Sequence, residues 1–180
     1  MNIRQATRDD LPRLMELYDA ARAFMRHRGN NVQWVGGYPS REMIEAGIDA
    51  GEQYVCLTGN DSGERIAATF WFAVAPEPTY LEILDGPGWI EGDTPFDEAP
   101  YGVVHRLASD GSARGAGAFC LEWCLAQCGN LRVDTHSANT VMQNLLTRLD
   151  YTRRGVIVIS DGTPRDAFQK KIRDSSKRFF

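Results

Sequence analysis

The alternation of apolar and polar residues is clearest in the middle of the chain, between residues 101 and 151. Residues 102–108 and 131–135 are short, mostly apolar runs that favour β-strands. Between them, the residues from 116 to 127 predict a helix that ends at Gly129, a C-terminal cap. A second helix is indicated by apolar residues at helical spacing, namely Val141, Met142, Leu145, Leu146 and Leu149.

Similar patterns predict the elements in the rest of the chain. Thr7 lies three residues before Asp10, which is a start signal for a helix whose apolar residues continue to Met25. Ser40 is the expected cap of a second helix that ends near Gly51. Other apolar runs predict strands at residues 2–6, 53–58, 65–75, 80–84, 153–160 and 167–172.

Composition and charge limit the classes of protein and function. A chain of 180 residues with 43% hydrophobic residues is expected to form one packed domain over residues 1–180. The net charge of −4 and the lack of a long basic run argue against a nucleic-acid partner. The sequence has no apolar stretch of membrane-spanning length and no secretion signal at its start. We therefore expect a cytoplasmic protein with no membrane partner.

Three cysteines recur every four residues in the predicted central helix, at Cys120, Cys124 and Cys128. Side chains stacked along one helix cannot surround a tetrahedral metal ion, and neighbouring turns rarely fit disulfide geometry. We expect these cysteines, and Cys56 in a predicted strand, to be small buried residues. The sequence therefore predicts no metal site, and unpaired thiols agree with a reducing compartment.

The glycine-rich turn at residues 109–117 opens the central helix and has the features of an anion-binding site. Small residues let a ligand approach the backbone closely, and unpaired N–H groups point outward along the helix dipole. The turn is not a dinucleotide-binding fingerprint, because Cys120 stands where a third glycine is needed. It is not a P-loop either, because the chain contains no Gly-Lys-Ser/Thr triplet.

This region resembles the signature of the GCN5-related N-acetyltransferases. The sequence SARGAG at residues 112–117 is similar to that family's Gln/Arg-x-x-Gly-x-Gly/Ala, with Ser112 in place of the usual Gln or Arg. Residues 134–143 resemble the later segment of the family, whose Asn is Asn139 here. Residues 149–151, Leu-Asp-Tyr, stand where many members have Leu-Gly-Phe.

The resemblance implies an α/β (α+β) acyl-CoA N-acyltransferase fold: a mixed, mostly antiparallel twisted sheet with helices on both faces and a splayed pair of parallel strands. It implies acetyl-CoA as co-substrate and a primary amine of a small molecule or protein as acceptor; a homodimer is left open. The residues expected to bind acetyl-CoA are Leu107, Ser109, Ser112, Ala113, Arg114, Gly115, Ala116, Gly117, Asn139 and Met142.

Acyl transfer to an amine needs a base, because an alkyl ammonium group titrates near pH ~10 and cannot attack. The resemblance places a strand carboxylate of the family at the position of Tyr101. Strand alternation would put Tyr101, Val103, His105 and Leu107 on one face, so His105 is the expected base. His136 is the second candidate and is expected to line the cleft. A structural histidine in the core is the alternative for His105.

The family's usual general acid, a Tyr seven residues after the Asn, is absent because Leu146 occupies that position. Tyr151 is expected in the core, and a CoA thiolate can leave without an acid because it is a stable anion near neutral pH. The missing Tyr and the substitution at Ser112 leave a second class open: a non-catalytic acyl-CoA-binding regulatory module.

The acceptor is expected to contact Trp34 and Tyr38, on the loop before the second helix, and Glu82, in the acidic segment 76–100. Equally open are a loop pinned to the core by its aromatic residues and an acidic segment that is simply solvated. Arg114 is expected at a phosphate and Arg106 at a phosphate or an acid; Asp134 could orient His136 or accept backbone hydrogen bonds.

Overall fold

The computed structural model of the protein describes residues 1–60, 63–90 and 100–172. The strands are β1 (Asn2–Gln5), β2 (Gln53–Asn60), β3 (Gly63–Ala73), β4 (Gly102–Ser109), β5 (Asn130–Thr135), β6 (Thr152–Val158) and β7 (Pro164–Lys171). The helices are α1 (Leu11–His27), α2 (Arg41–Asp49), α3 (Ala116–Cys128) and α4 (Thr140–Arg148). Short 3₁₀ helices lie at Arg8–Asp10 and Pro78–Tyr80.

The described strands form a single mixed sheet in the order β1-β2-β3-β4-β5-β7-β6. Neighbouring strands are antiparallel except β4 and β5, which pair in parallel from Gly102 opposite Leu131 to Val104 opposite Val133. Beyond Val104 the two strands have no further register partners and diverge. The predicted fold class and the predicted splayed parallel pair are therefore confirmed.

Helices cover both faces of the sheet and bury separate apolar clusters. On one face, α3 packs Cys120, Leu121 and Cys124 against strand residues that include Cys56 and Phe70. On the other face, α1 and α2 pack against β2 and β3 through residues that include Leu11, Leu14, Leu17, Tyr18 and Ile44. Burial of Cys56, Cys120 and Cys124 confirms their predicted role as small core residues.

Local start and stop signals act as predicted. The Thr7 backbone N–H donates to Asp10 Oδ2 at 2.8 Å, which fixes the entry to α1. Ser40 Oγ accepts from the Met43 backbone N–H at 3.3 Å and caps α2. Gly129 ends α3 in the left-handed conformation, with φ of 68°.

One predicted strand is wrong, and two predicted features fall outside the described residues. The segment 80–84 is not a strand, because Pro78 starts a 3₁₀ turn and Leu84 makes only an isolated bridge to Val156. The acids in segment 91–99 and the cationic tail at 173–180 lie outside the described residues. In the part of the chain that is described, no helix is long and apolar enough to cross a membrane, and no His, Cys, Asp and Glu side chains cluster as metal ligands would.

A β-bulge interrupts the alternation of side chains along β4. Trp71 pairs with His105 and Thr69 pairs with Ala108, so two residues of β4, Arg106 and Leu107, lie opposite one residue of β3. Arg106 takes the left-handed conformation, with φ of 56°. The predicted common face of His105 and Leu107 is therefore wrong: Leu107 packs against the α3 cluster, and His105 packs against Trp71 on the opposite side.

Candidate active site

A cavity of about 500 Å³ lies where β4 and β5 diverge. The two strands line it with His105, Arg106 and Asp134, among others, and the loop between α1 and α2 contributes Trp34 and Tyr38. The cavity exists because β4 and β5 diverge: their side chains and backbone groups then face a gap instead of each other. The gap is therefore the place where a ligand can reach the middle of the sheet.

A smaller groove of about 150 Å³ adjoins this cavity on the side of α3 and α4. Its lining includes Ser109 at the end of β4 and Gly117 in the first turn of α3. Leu107, Asn139 and Met142 line both spaces, so the groove and the cavity meet at the splayed strands. A long ligand could lie along the groove and place one end in the cavity.

The glycine-rich turn leads directly into the groove. Gly115 adopts a left-handed φ of 84°, and the Ala116 N–H donates to the Ala113 carbonyl at 3.2 Å, which sets the start of α3. A Cβ at Gly117 would lie 3.2 Å from Leu145 Cδ2, so this glycine keeps the groove open between α3 and α4. The first turn of a helix has N–H groups without intrahelical partners, which suits a phosphate.

The other residues predicted for acetyl-CoA surround that turn. The Ser112 N–H donates to Asp110 Oδ1 at 2.9 Å, its carbonyl accepts from Arg65 at 3.1 Å, and Arg114 is exposed. Asn139 caps α4, with its Oδ1 accepting from the Met142 N–H at 3.2 Å. Asn139 thus has a structural role in addition to its place at the junction of the two spaces.

His105 is held between two carboxylates in the wall of the cavity. Its Nε2 lies 3.2 Å from Glu77 Oε2, and its Nδ1 lies 3.5 Å from Asp134 Oδ1. Its ring stacks on Trp71, with centroids 5.4 Å apart and planes 24° from parallel. A neutral imidazole has one donor and one acceptor nitrogen, so it can donate a hydrogen bond to one of these two carboxylates at a time.

Glu77 is fixed by three neighbours. The hydrogen bond with His105 is the largest influence, and together with the bonds from the Thr79 backbone and hydroxyl groups it lowers the pKa of Glu77 to about 2. The Glu77 N–H donates to the Tyr101 hydroxyl at 2.9 Å. Tyr101, predicted as a catalytic residue, therefore holds the segment that carries Glu77 and does not line the cavity.

The low pKa of Glu77 predicts how stability depends on pH. Because the carboxylate is favoured in the folded state, its stabilisation is complete above the ordinary value of 4.5 and declines as the pH falls toward 2. Glu77→Gln should lower the free energy of unfolding by about 1 kcal/mol at pH 6, with the difference shrinking below pH 4.5. Urea unfolding from pH 6 to pH 3.5 measures this. The exposed Glu82→Gln is the control, and a Glu77→Gln difference that is constant with pH would contradict the assignment.

Asp134 is held by Tyr80 in the protein core, and it contacts His105 instead of His136. Its Oδ1 accepts from the Tyr80 hydroxyl at 2.7 Å, and burial raises the pKa of Tyr80 well above its ordinary value, so this phenol stays a donor. Neither alternative considered from the sequence is correct, because Asp134 contacts His105 and Tyr80.

The predicted site residues His136 and Glu82 also lie outside the cavity lining. His136 Nδ1 accepts from the Ala138 backbone N–H at 3.0 Å, which forms the turn before α4. Burial and the charge of Arg165 lower the pKa of His136. Glu82 is exposed on the surface and does not border either space. The ring of His136 is therefore used in this turn, and Glu82 faces solvent.

Trp34 and Tyr38 lie in the loop between α1 and α2, where the sequence predicted contact with the acceptor or with the core. They line the cavity, and Trp34 also packs edge-on against Tyr18, with ring centroids 5.7 Å apart. Leu146 is fully buried, and Tyr151 is buried with its hydroxyl 3.5 Å from the Leu121 carbonyl, which confirms its expected place in the core.

Sequence reasoning missed Glu77 and Arg165, and it assigned Arg106 to other partners. Arg106 and Arg165 both line the cavity. A signal for Glu77 existed, since Glu77 precedes Pro78 and its carboxylate accepts from the Thr79 N–H at 3.1 Å, a helix-start pattern. No local signal marks Arg106, because its position depends on the bulge.

Comparison with solved structures finds the same fold in known acetyltransferases. An acetyltransferase of the GNAT family from Streptococcus agalactiae is 29% identical, with a TM-score of 0.76 over 97% of this chain and 96% of that one. A GNAT-family acetyltransferase from Listeria monocytogenes is 16% identical, with a TM-score of 0.62 over 95% and 94% of the two chains.

The ribosomal-protein-S18-alanine N-acetyltransferase from Escherichia coli is 15% identical, with a TM-score of 0.60 over 99% of this chain and 98% of that one. At these low identities, the Listeria and Escherichia structures show only that the fold is shared. No family model and no curated protein sequence matches the chain.

Proposed function

The chain is a member of the GCN5-related N-acetyltransferase family and an acyltransferase, and we propose that it transfers the acetyl group of acetyl-CoA to a primary amine. The observation that carries the proposal is the junction of the groove and the cavity at the splayed strands. One space begins at the glycine-rich turn, the other contains His105 with its carboxylates, and Leu107, Asn139 and Met142 line both.

The groove fits the phosphate-bearing part of acetyl-CoA. The first turn of α3 offers backbone N–H groups, Gly117 lets the ligand approach, and Arg114 beside them is exposed and cationic. Acetyl-CoA supplies a thioester whose carbonyl carbon an amine can attack. We propose that Leu107, Asn139 and Met142 guide its thioester end toward the cavity.

In the cavity, His105 is the proposed base. The carboxylates of Glu77 and Asp134 hold its ring and attract a cationic ammonium group, and the imidazole of His105 then accepts a proton from that group. Residues 105–107 have no partners on β5, so their backbone can offer N–H groups to the oxyanion that develops at the carbonyl. The thiolate needs no protonating tyrosine because it is a stable leaving group.

Release of free thiol from acetyl-CoA tests the proposal. Purified protein is incubated with acetyl-CoA and a panel of primary amines, and thiol is followed with a colorimetric reagent while mass spectrometry identifies the acetylated amine. We expect steady amine-dependent thiol release with one acetylated product per thiol. Tight acetyl-CoA binding without amine-dependent release for any acceptor would instead support the non-catalytic acyl-CoA-binding module.

A further inference from the structure

We propose that the acceptor carries an anionic group close to its amine and that Arg106 binds this group. The acceptor class is then a small zwitterion, such as an amino acid or an amino phosphate. The inference rests on the proposed transfer to an amine, and it adds the chemistry that selects the acceptor.

Arg106 projects into the cavity without a charged partner. Its Nε is buried and has no hydrogen-bond partner, and its guanidinium makes no ion pair with any residue that the structure describes. The contact it does make is with the indole of Trp71, with Cζ 5.8 Å from the ring centroid. By contrast, Arg13 bonds to Asp110, and Arg153 bonds to Asp166 at 2.8 Å.

A buried guanidinium nitrogen without a hydrogen-bond partner is unfavourable, and an anionic ligand that accepts from it would remove that cost. The planar guanidinium also matches carboxylates and phosphates through paired hydrogen bonds. Arg165 adds a second cation to the same cavity wall, and the hydrogen bond seen for its guanidinium among the described residues goes to the Pro164 carbonyl. The cavity lining also contains the carboxylates of Glu77, Asp134 and Asp161, so it offers partners for both charges of a zwitterion.

The bulge in β4 explains why an amine site and an anion site are neighbours. In a regular strand, consecutive side chains point to opposite faces, so His105 and Arg106 would be separated by the sheet. Here both line the same cavity, and both lie against the Trp71 indole, His105 at 5.4 Å and Arg106 at 5.8 Å from its centroid.

Their Cα atoms are separated by one peptide unit, about 3.8 Å. Glu77 and Asp134 at His105 attract the ammonium group, while Arg106 attracts the anion. A molecule that satisfies both must carry its two charges a few bonds apart. A lysine side chain in a protein does not have this arrangement, whereas a free amino acid does.

The test uses series of acceptors in which the anionic group is present, neutralised or absent. L-phenylalanine is compared with phenylalaninamide and 2-phenylethylamine, and O-phosphoethanolamine with ethanolamine, so that carboxylate and phosphate are separate arms. We expect kcat/KM for the anionic member of at least one series to exceed that of its neutral counterparts by about 30-fold, the effect of one charge-assisted hydrogen-bond pair.

Arg106→Gln should remove this preference, chiefly by raising KM for the anionic acceptor, so that kcat/KM falls by about 30-fold more for the anionic acceptor than for its neutral counterparts. Arg106→Lys, which keeps the charge but not the planar fork, should restore part of it. Arg153→Gln, a substitution on β6 outside both spaces, is the matched control and should keep the full preference. Thermal unfolding of each variant confirms that it is folded.

Equal use of anionic and neutral amines by the wild-type protein would overturn the inference, as would a preference unchanged in Arg106→Gln. If no amine gives thiol release, the transferase proposal fails by itself. In that case, L-phenylalanine, O-phosphoethanolamine and 2-phenylethylamine are each titrated into the protein with CoA present. Calorimetry then shows whether the protein selects a ligand that carries an anionic group. Binding of a zwitterion that Arg106→Gln abolishes supports the inference, and no selective binding overturns it.

Discussion

Replacing Gly117 by glutamate should weaken binding of acetyl-CoA by more than 100-fold while the protein stays folded. The side chain would start 3.2 Å from Leu145 Cδ2 and extend into the groove, where it would put a negative charge beside the backbone N–H groups proposed to bind phosphate. Loss of the anion site and repulsion of the phosphates act in the same direction. Titration calorimetry with acetyl-CoA measures the change, and circular dichroism verifies the fold.

Two further substitutions at the same residue separate size from charge. Gly117→Ala adds one methyl group, which Leu145 can accommodate by a small side-chain shift, so affinity should fall only severalfold. Gly117→Gln has the size of glutamate without its charge and should lie between the two. Wild-type affinity in Gly117→Glu would show that acetyl-CoA does not bind at the start of α3.

Replacing His105 by glutamine should lower kcat/KM for the amine by roughly 10²-fold, the low end for loss of a general base. Activity of the wild-type protein should fall as the pH is lowered, because a protonated base cannot accept the proton of the amine. If His105 is responsible for that acidic limb, the limb should disappear in the variant. Initial rates of thiol release from pH 5.5 to pH 9 provide the profile.

The matched control is His136→Gln. His136 lies outside the cavity, where its ring accepts a backbone hydrogen bond from Ala138, so its loss should change local stability and leave the pH profile in place. Were His105→Gln to keep wild-type turnover and the same acidic limb, His105 would be a structural residue. The carboxylates of Glu77 and Asp134 would then be the next groups to replace.

The sequence alone was sufficient to predict the features that depend on residues close together in the chain. The caps at Thr7, Ser40 and Gly129, the helical spacing of the buried cysteines and the glycine-rich turn all act over one or two turns of chain. Such short-range signals fix the type and order of the elements, and the resemblance in residues 112–117 then indicated the fold and the groove.

The residues around the proposed base were decided by the tertiary structure. His105 and Glu77 are 28 positions apart, and Tyr80 and Asp134 are 54 positions apart, so no local pattern predicts their hydrogen bonds. Alternation failed at Arg106 because pairing with β3 inserts a bulge there, which moves Arg106 beside His105 and sends Leu107 to the other face. Strand register depends on hydrogen bonds to a partner distant in sequence. For this reason the sequence alone could predict where acetyl-CoA should bind, and only the assembled sheet showed which side chains line the cavity.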